Sequence, residues 1–178
     1  MFGKITAFLW ETAKLAVISL VIILPIRYYI IQPFFVLGAS MEPNFENGDY
    51  LIIDEISYRF NKPQRGDVIV FKYPNNPKQY YIKRIIGLPG EIIAISDEKI
   101  IIKNKENPEG FVLKEDYLSG IATNGNVSAT LGFDEYYVLG DNRGASSDSR
   151  MWGSLKEEFI VGKALLRAFP FDKAEILR

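Results

Sequence analysis

The stretch QYYIKRIIG, residues 79–87, is made almost wholly of aromatic and β-branched residues set around two adjacent cations, Lys83 and Arg84. Such residues favour a pleated, half-buried strand. On a strand the side chains alternate between faces. Tyr81, Lys83 and Ile85 then share one face, while Ile82, Arg84 and Ile86 share the other. The two cations therefore meet different surroundings, and Lys83, between Tyr81 and Ile85, is the lysine whose neighbours speak for burial. An ordinary strand with a lysine snorkelling at its edge fits the same residues, and from this strand alone it is the more economical reading.

Outward from this stretch the pattern repeats. FFVL, YLIID, VIVF, EIIAI, KIIIK, FVL, YYVL and IVGKALLRAF are short runs of β-forming residues. Between them stand turn signals such as NGD, PQRGD, YPNNP, GLPGE, NPEG, TNGN and GDNRG. Short strands at this spacing predict a mostly β domain of antiparallel type. The lack of long amphipathic helical patterns argues against a parallel α/β fold. Residues 104–134 are poorer in strand signals and richer in Gly, Asn, Ser and Thr, which predicts an insertion or flexible excursion there.

The N-terminus differs. Residues 5–26, ITAFLWETAKLAVISLVIILPI, are apolar apart from Glu11 and Lys14. As a helix they extend about 33 Å, enough for a hydrocarbon core of roughly 30 Å. Glu11 and Lys14 are spaced to pair on one helix face, and Arg27, Tyr28 and Tyr29 follow as an interfacial anchor. A cleaved signal peptide and a buried or surface-lying helix are the competing readings. The first is weakened by the large Leu37 at one position of an A-x-A-like site. The expected organisation is a transmembrane anchor and flank over residues 1–33, followed by a β-rich domain over 34–178 with the insertion around 104–134.

Composition narrows the chemistry. Among the 178 residues, 21 Lys and Arg face 22 Asp and Glu, so there is no strongly basic surface for nucleic acid. The chain has no His and no Cys. A Ser-His-Asp triad, thiol catalysis, His- or Cys-ligated zinc and iron–sulfur sites are excluded on that ground.

VLGASMEPNF, residues 36–45, offers Ser40 among small and apolar residues. A serine hydroxyl needs a base within hydrogen-bond reach to become a nucleophile. In this chain the base must be Asp, Glu, Lys or Tyr. A lysine serves only if desolvation lowers its pKa. Strand alternation through PFFVLGAS would align Phe34, Val36, Gly38 and Ser40 on one face, an apolar strip able to accept an extended peptide; a core strand running into a turn fits equally. VLGDNRGASSDSRMWG, residues 138–153, ends a strand in a loop dense with Asp141, Asn142, Arg143, Ser146, Ser147, Asp148, Ser149 and Arg150. Such loops are commonly solvated turns, but this density predicts an ordered network of the kind that orients catalytic side chains.

Taken in order, these segments resemble the type I signal peptidases, membrane-anchored Ser-Lys endopeptidases. SMEP at 40–43 is similar to the nucleophile motif, NGDYLIID and RGDVIVF to two structural glycine–aspartate segments, YYIKRIIGLPGE to the general-base motif, and GDNRGASSDSRMWG to the last loop of the pattern. The resemblance runs from the anchor nearly to the C-terminus. It implies Ser40 as nucleophile, Lys83 as general base, Ser146 orienting the lysine, and Asp148 with Arg150 and Asp141 with Arg84 as supporting pairs. It implies a mostly antiparallel β fold with a small inserted region and no cofactor. Where many relatives carry a serine two residues before the nucleophile, this chain has Gly38. The implied oxyanion hole then rests on the Ser40 backbone N–H and a backbone partner near Gly38. Asn44 and Leu37 are further departures, at positions often filled by threonine and proline.

The expected activity is removal of signal peptides from exported preproteins after small residues of Ala-x-Ala type. Phe34, Val36, Met41, Phe45, Tyr81 and Ile82 are candidate walls of shallow apolar pockets for those residues. The expected partners are preproteins and the lipid bilayer, not nucleic acid. The resemblance also implies a single-pass protein of the plasma membrane, with its N-terminus cytoplasmic and its catalytic domain outside. The alternative is a membrane-tethered β-domain that binds peptides without cleaving them.

Overall fold

The computed structural model describes residues 2–29, 31–118 and 120–177. Helix α1, Phe2–Tyr29, comes first. Among its described side chains the apolar ones point outward; Phe8, Trp10, Leu15 and Val21 are all exposed. Gly3–Leu24 is long and apolar enough to cross a membrane, and none of it is buried in the protein. A helix that is apolar all round and packs on nothing finds its favourable environment in lipid. Glu11 and Lys14 are both exposed and form no ion pair among the described residues.

The rest is antiparallel β structure, as the turn-punctuated runs predict. Strands β1 (Ile31–Phe35), β2 (Tyr50–Asp54), β3 (Val68–Tyr73), β4 (Asn76–Gly87), β9 (Glu135–Leu139), β10 (Leu155–Lys156), β11 (Ile160–Phe169) and β12 (Glu175–Ile176) make one sheet. Its order is β1-β2-β11-β3-β4-β9-β10, with β12 on β11. Strands β5 (Ile92–Ser96), β6 (Lys99–Lys103), β7 (Phe111–Val112) and β8 (Val127–Thr130) make a second, in the order β7-β6-β5-β8. This corrects the bounds of the expected excursion. The inserted unit begins with the β5–β6 hairpin, upstream of residue 104, and the 104–134 stretch contributes its two outer strands. EIIAI and KIIIK read as strands in the sequence; that they pair only with one another and with β7 and β8 is a tertiary fact.

Strand β4 joins three apolar clusters. Ile82 packs with Val68, Val70, Leu51 and Ile53. Ile85 packs with Phe71, Tyr136 and Val138. Ile86 packs with Ile93, Ile95 and Ile102 of the second sheet. The register with β9 shifts between Ile85 and Gly87. Such an irregularity bends a strand and redirects its side chains. β4 thereby leaves one sheet core and enters the next, and Lys83 lies in its buried second half.

The two sheets are also tied by charge. Arg65 donates from Nη2 to both oxygens of Glu91, at 2.6 and 2.8 Å. Glu91 is buried and also accepts from Leu88 N and Asn104 Nδ2. Burial alone would raise its pKa, but the hydrogen bonds from Arg65, Leu88 and Asn104 outweigh that and hold it below the usual range. Glu91→Ala leaves these donors unpaired and is expected to destabilise the protein by about 1–3 kcal/mol, read as a lower urea midpoint.

Candidate active site

Ser40 belongs to neither a strand nor a helix. After β1 the chain turns at Gly38, whose φ of +87° is left-handed and open to glycine at no steric cost. Residues 40–44 form a turn in which Phe45 N donates to Met41 O at 2.9 Å. The strand alternation expected through PFFVLGAS therefore stops at Phe35. Val36, Met41 and Phe45 are 1%, 0% and 3% exposed and pack into the core beside Leu51. They do not line the groove, which corrects their expected place there. The reason is local: Met41 and Phe45 are one helical turn apart, so both fall on the inner side.

Lys83 reaches this turn from β4. Its Nζ lies 2.8 Å from Ser40 Oγ and 2.7 Å from Ile82 O. Lys83 is 3% exposed, and the ring of Tyr81 is 5.4 Å from Nζ. Burial pushes the Lys83 amine down to about 8, against the pull of Asp148 and Asp141, which favour its charged form. An amine that donates to Ile82 O and sits within hydrogen-bond reach of Ser40 has the geometry of a base for that hydroxyl. The snorkelling alternative is not what the fold adopts.

Both supporting pairs form. Arg84 grips Asp141 with Nε at 2.9 Å and Nη2 at 2.7 Å. Arg150 grips Asp148 with Nε and Nη2, both at 2.8 Å. Asp141 and Asp148 are fully buried, so the two-pronged pairing offsets a large desolvation cost. Asp148 also accepts from Gly140 N at 3.2 Å. Ser146 is different. Its Oγ is buried with no hydrogen-bond partner among the described residues, so it makes no bond to Lys83. It lies instead over Gly140, where any side chain would collide with Ser146 Oγ and Ser40 O. The orienting contact expected from Ser146 is supplied by the Ile82 carbonyl.

Gly38 likewise departs from expectation. Its N–H donates to Asn47 Oδ1 at 2.9 Å and is therefore engaged. The Ser40 N–H makes no hydrogen bond among the described residues. What Gly38 contributes is open space, since a side chain there would meet nothing within 4 Å.

Ser40 and Lys83 lie in a groove of about 560 Å³ lined also by Phe34, Tyr81 and Ile82, by Ser147 of the polar loop, and by Phe35, Leu37, Gln79 and Tyr80, which the sequence did not single out as walls. Alternation along β4 could not reveal Gln79 and Tyr80, because position on a strand does not tell which residues border a cleft. Asn142 was noted only as one polar residue among many. Its N–H donates to Ser40 O at 3.1 Å and its Nδ2 to Ala39 O at 3.0 Å, so it clasps the turn that carries Ser40. Asn44 was noted only as a departure; its Nδ2 donates to Asp141 Oδ2 at 2.8 Å.

Residues 9–169 match the family described as signal peptidase, peptidase S26. The chain is 34% identical over 173 residues to a probable signal peptidase I-1 of Synechocystis sp., covering 93% of this chain and 85% of that one. It is 35% identical to signal peptidase I of Leptolyngbya laminosa, covering 93% and 82%. It is 32% identical to signal peptidase IB of Staphylococcus aureus, covering 88% and 87%. A crystal structure of a signal peptidase I from Enterococcus faecalis superposes with a TM-score of 0.50 at 34% identity, over 58% of this chain and 97% of that one. The mostly antiparallel β fold is thus one that signal peptidases share. The chain belongs to the signal peptidase family, peptidase S26.

The buried amine has a thermodynamic signature. In the unfolded chain Lys83 titrates near 10.5, and in the fold near 8. Below about pH 8 both states are protonated and the fold bears the full cost of a buried charge; above the unfolded value both are neutral and the cost vanishes. Lys83→Met should therefore be more stable than wild type at about pH 6, by on the order of 3 kcal/mol. That gain should fade as the pH approaches about 10. Denaturant titrations at the two pH values measure it.

Proposed function

We propose that this protein is a membrane-anchored type I signal peptidase. It would cut exported preproteins after small residues by a Ser40–Lys83 mechanism. The observation that carries this reading is the 2.8 Å approach of a buried lysine to a serine at the floor of an apolar groove, in a chain without histidine. Neutral Lys83 takes the Ser40 proton as Oγ attacks the scissile carbonyl carbon. The carbonyl oxygen becomes an oxyanion, stabilised by the Ser40 N–H and a second donor. Protonated Lys83 then gives its proton to the leaving amine, the N-terminus of the mature protein. Water enters and attacks the acyl carbon as Lys83 removes its proton; the acyl–Oγ bond breaks and protonated Lys83 returns that proton to Ser40 Oγ, which regenerates both groups. Asp141 with Arg84 and Asp148 with Arg150 support the loop behind the dyad. No step calls for a metal or cofactor.

The substrate is the extended, apolar end of a signal peptide. Phe34, Tyr81 and Ile82 give the groove apolar walls, and small residues fit where Ser40 and Lys83 crowd the floor. Helix α1 joins directly to the edge strand β1 of the same domain, which keeps the groove close to the bilayer from which such peptides emerge. In this reading residues 1–33 are the anchor and 34–178 the peptidase domain. The N-terminus is cytoplasmic and the domain lies outside the plasma membrane. A peptide-binding domain without catalysis has less support, because binding alone gives no reason to bury an amine against a serine hydroxyl.

Purified protein in detergent should cleave a preprotein at one site, shown by sequencing the new N-terminus. Ser40→Ala and Lys83→Met should each reduce cleavage to background while the protein stays folded. Lys83→Arg should fail as well, because a guanidinium stays protonated. Wild-type kcat/KM should rise with pH through one ionisation near 8, since only the neutral amine is active. Substantial activity in any of the three variants, or a rate independent of pH with chemistry limiting, refutes the dyad. A protease added outside sealed cells should cut within residues 104–134; protection until the membrane is broken would reverse the orientation.

A further inference from the structure

Arg143 follows β9 in the loop that carries Asp141 and Asp148, and only 4% of it is exposed. A buried guanidinium is tolerated only when its donors are paired. Nε donates to Gly140 O at 3.1 Å. Nη1 donates to Glu115 Oε2 at 2.8 Å and to Thr123 Oγ1. Nη2 donates to Glu115 Oε1 and, at 3.4 Å, to the Tyr117 hydroxyl. Apart from Gly140 in its own loop, these partners all come from residues 115–123, the connection between β7 and β8 of the second sheet.

The same connection touches the other two parts of the site. Tyr117 O accepts from Asn44 Nδ2 at 3.1 Å, four residues beyond Ser40. The Tyr117 ring stacks against the Arg84 guanidinium at 4.0 Å, next to Lys83. One segment thus contacts the nucleophile turn, the strand of the base and the loop that clasps the turn.

We propose that Glu115, Tyr117 and Thr123 brace the alignment of Ser40 with Lys83, and that Glu115 is a positioning residue acting through Arg143. Glu115 neutralises and fixes the Arg143 guanidinium. Arg143 holds Gly140 O and with it the start of the loop. The next residues present Asn142, whose two donors hold the Ala39 and Ser40 carbonyls. Gly140 leaves no slack in this chain of contacts, because the Ser40 carbonyl and Ser146 already crowd its Cα. With Glu115 removed, Arg143 must seek water, the loop loosens, and the Ser40 turn loses its clasp while the groove walls and the buried Lys83 remain. The loss should fall on the chemical step.

This inference rests on the peptidase reading for its kinetic arm and on the structure alone for its second arm. Full-length wild type, Glu115→Ala, Arg143→Ala, the double variant and Glu91→Ala are assayed in detergent with a preprotein. Glu115→Ala should lower kcat by roughly 10- to 100-fold, the scale of a small misplacement of reacting groups. KM and the pH midpoint should hardly move. The double variant should be no worse than the worse single variant, because each single variant already breaks the Glu115–Arg143 contact. Glu91→Ala, which weakens the second sheet away from this loop, should lose stability and keep wild-type kcat. Hydrogen exchange supplies the second arm: the Asn142 amide should exchange faster in Glu115→Ala and not in Glu91→Ala. Should Glu115→Ala fail to fold, Glu115→Gln, which keeps one acceptor oxygen for Arg143, should show a smaller loss of the same kind. Wild-type kcat with an unchanged Asn142 amide in the Glu115 variant overturns the proposal, as does an equal kcat loss in Glu91→Ala or additivity in the double variant. If wild-type protein cleaves no preprotein, the functional reading falls, and the exchange rates still decide the brace.

Discussion

The site depends on keeping an ammonium-forming side chain out of water. Lys83 is enclosed where β4 passes between sheet cores, and its amine meets a serine hydroxyl, a backbone carbonyl and a tyrosine ring rather than solvent. Burial favours the neutral form. Two buried carboxylates nearby oppose that preference. Each is held in a two-pronged pair with its own arginine, which leaves its charge largely answered before it reaches Lys83. The support pairs therefore do more than brace a loop: they let acids lie close to the lysine without forcing it to stay charged.

Most of the fold can be read as the means of meeting that constraint. β4 lies inside its sheet, between β3 and β9, and lends isoleucines to three clusters, so the strand that carries Lys83 is held at both edges and packed on both faces. Ser40, by contrast, sits on a turn with a left-handed glycine just before it, free of any ladder. A turn of that kind has to be held from outside. Asn142 does so through two carbonyls, and the β7–β8 connection holds the loop from which Asn142 projects. The second sheet, which contributes no residue to the groove, is linked to the chemistry through Arg143, Tyr117 and Asn44.

The cost of this arrangement is several buried polar groups of high stakes. Asp141, Arg143 and Asp148 lie almost wholly out of water, each with multiple partners. Fully satisfied networks of this kind fix one geometry, and losing one member leaves the others exposed to the whole desolvation penalty. Ser146 Oγ is the exception, buried with no hydrogen-bond partner among the described residues, and its place beside Gly140 makes it part of the packing behind the Ser40 turn.

Much of this was legible beforehand. The alternation in QYYIKRIIG, the turn residues between apolar runs and the largely apolar N-terminus depend on neighbours close in sequence, so pattern alone set the antiparallel β class and the candidate span. The absence of His and Cys narrowed the chemistry without any coordinates, and motif order singled out Ser40 and Lys83. What required the tertiary structure was everything fixed by contacts between distant segments. Val36, Met41 and Phe45 read as groove walls and proved to be core, because a turn ended the alternation that placed them. Ser146 read as the lysine's orienter, whereas the Ile82 carbonyl stands there. The second sheet began earlier than composition suggested, since strand pairing is decided by partners rather than by Gly and Asn content. Local sequence specifies periodicity and backbone preference; burial, and with it the state of the Lys83 amine, is set only when β4, the Ser40 turn and the loop after β9 close on one another.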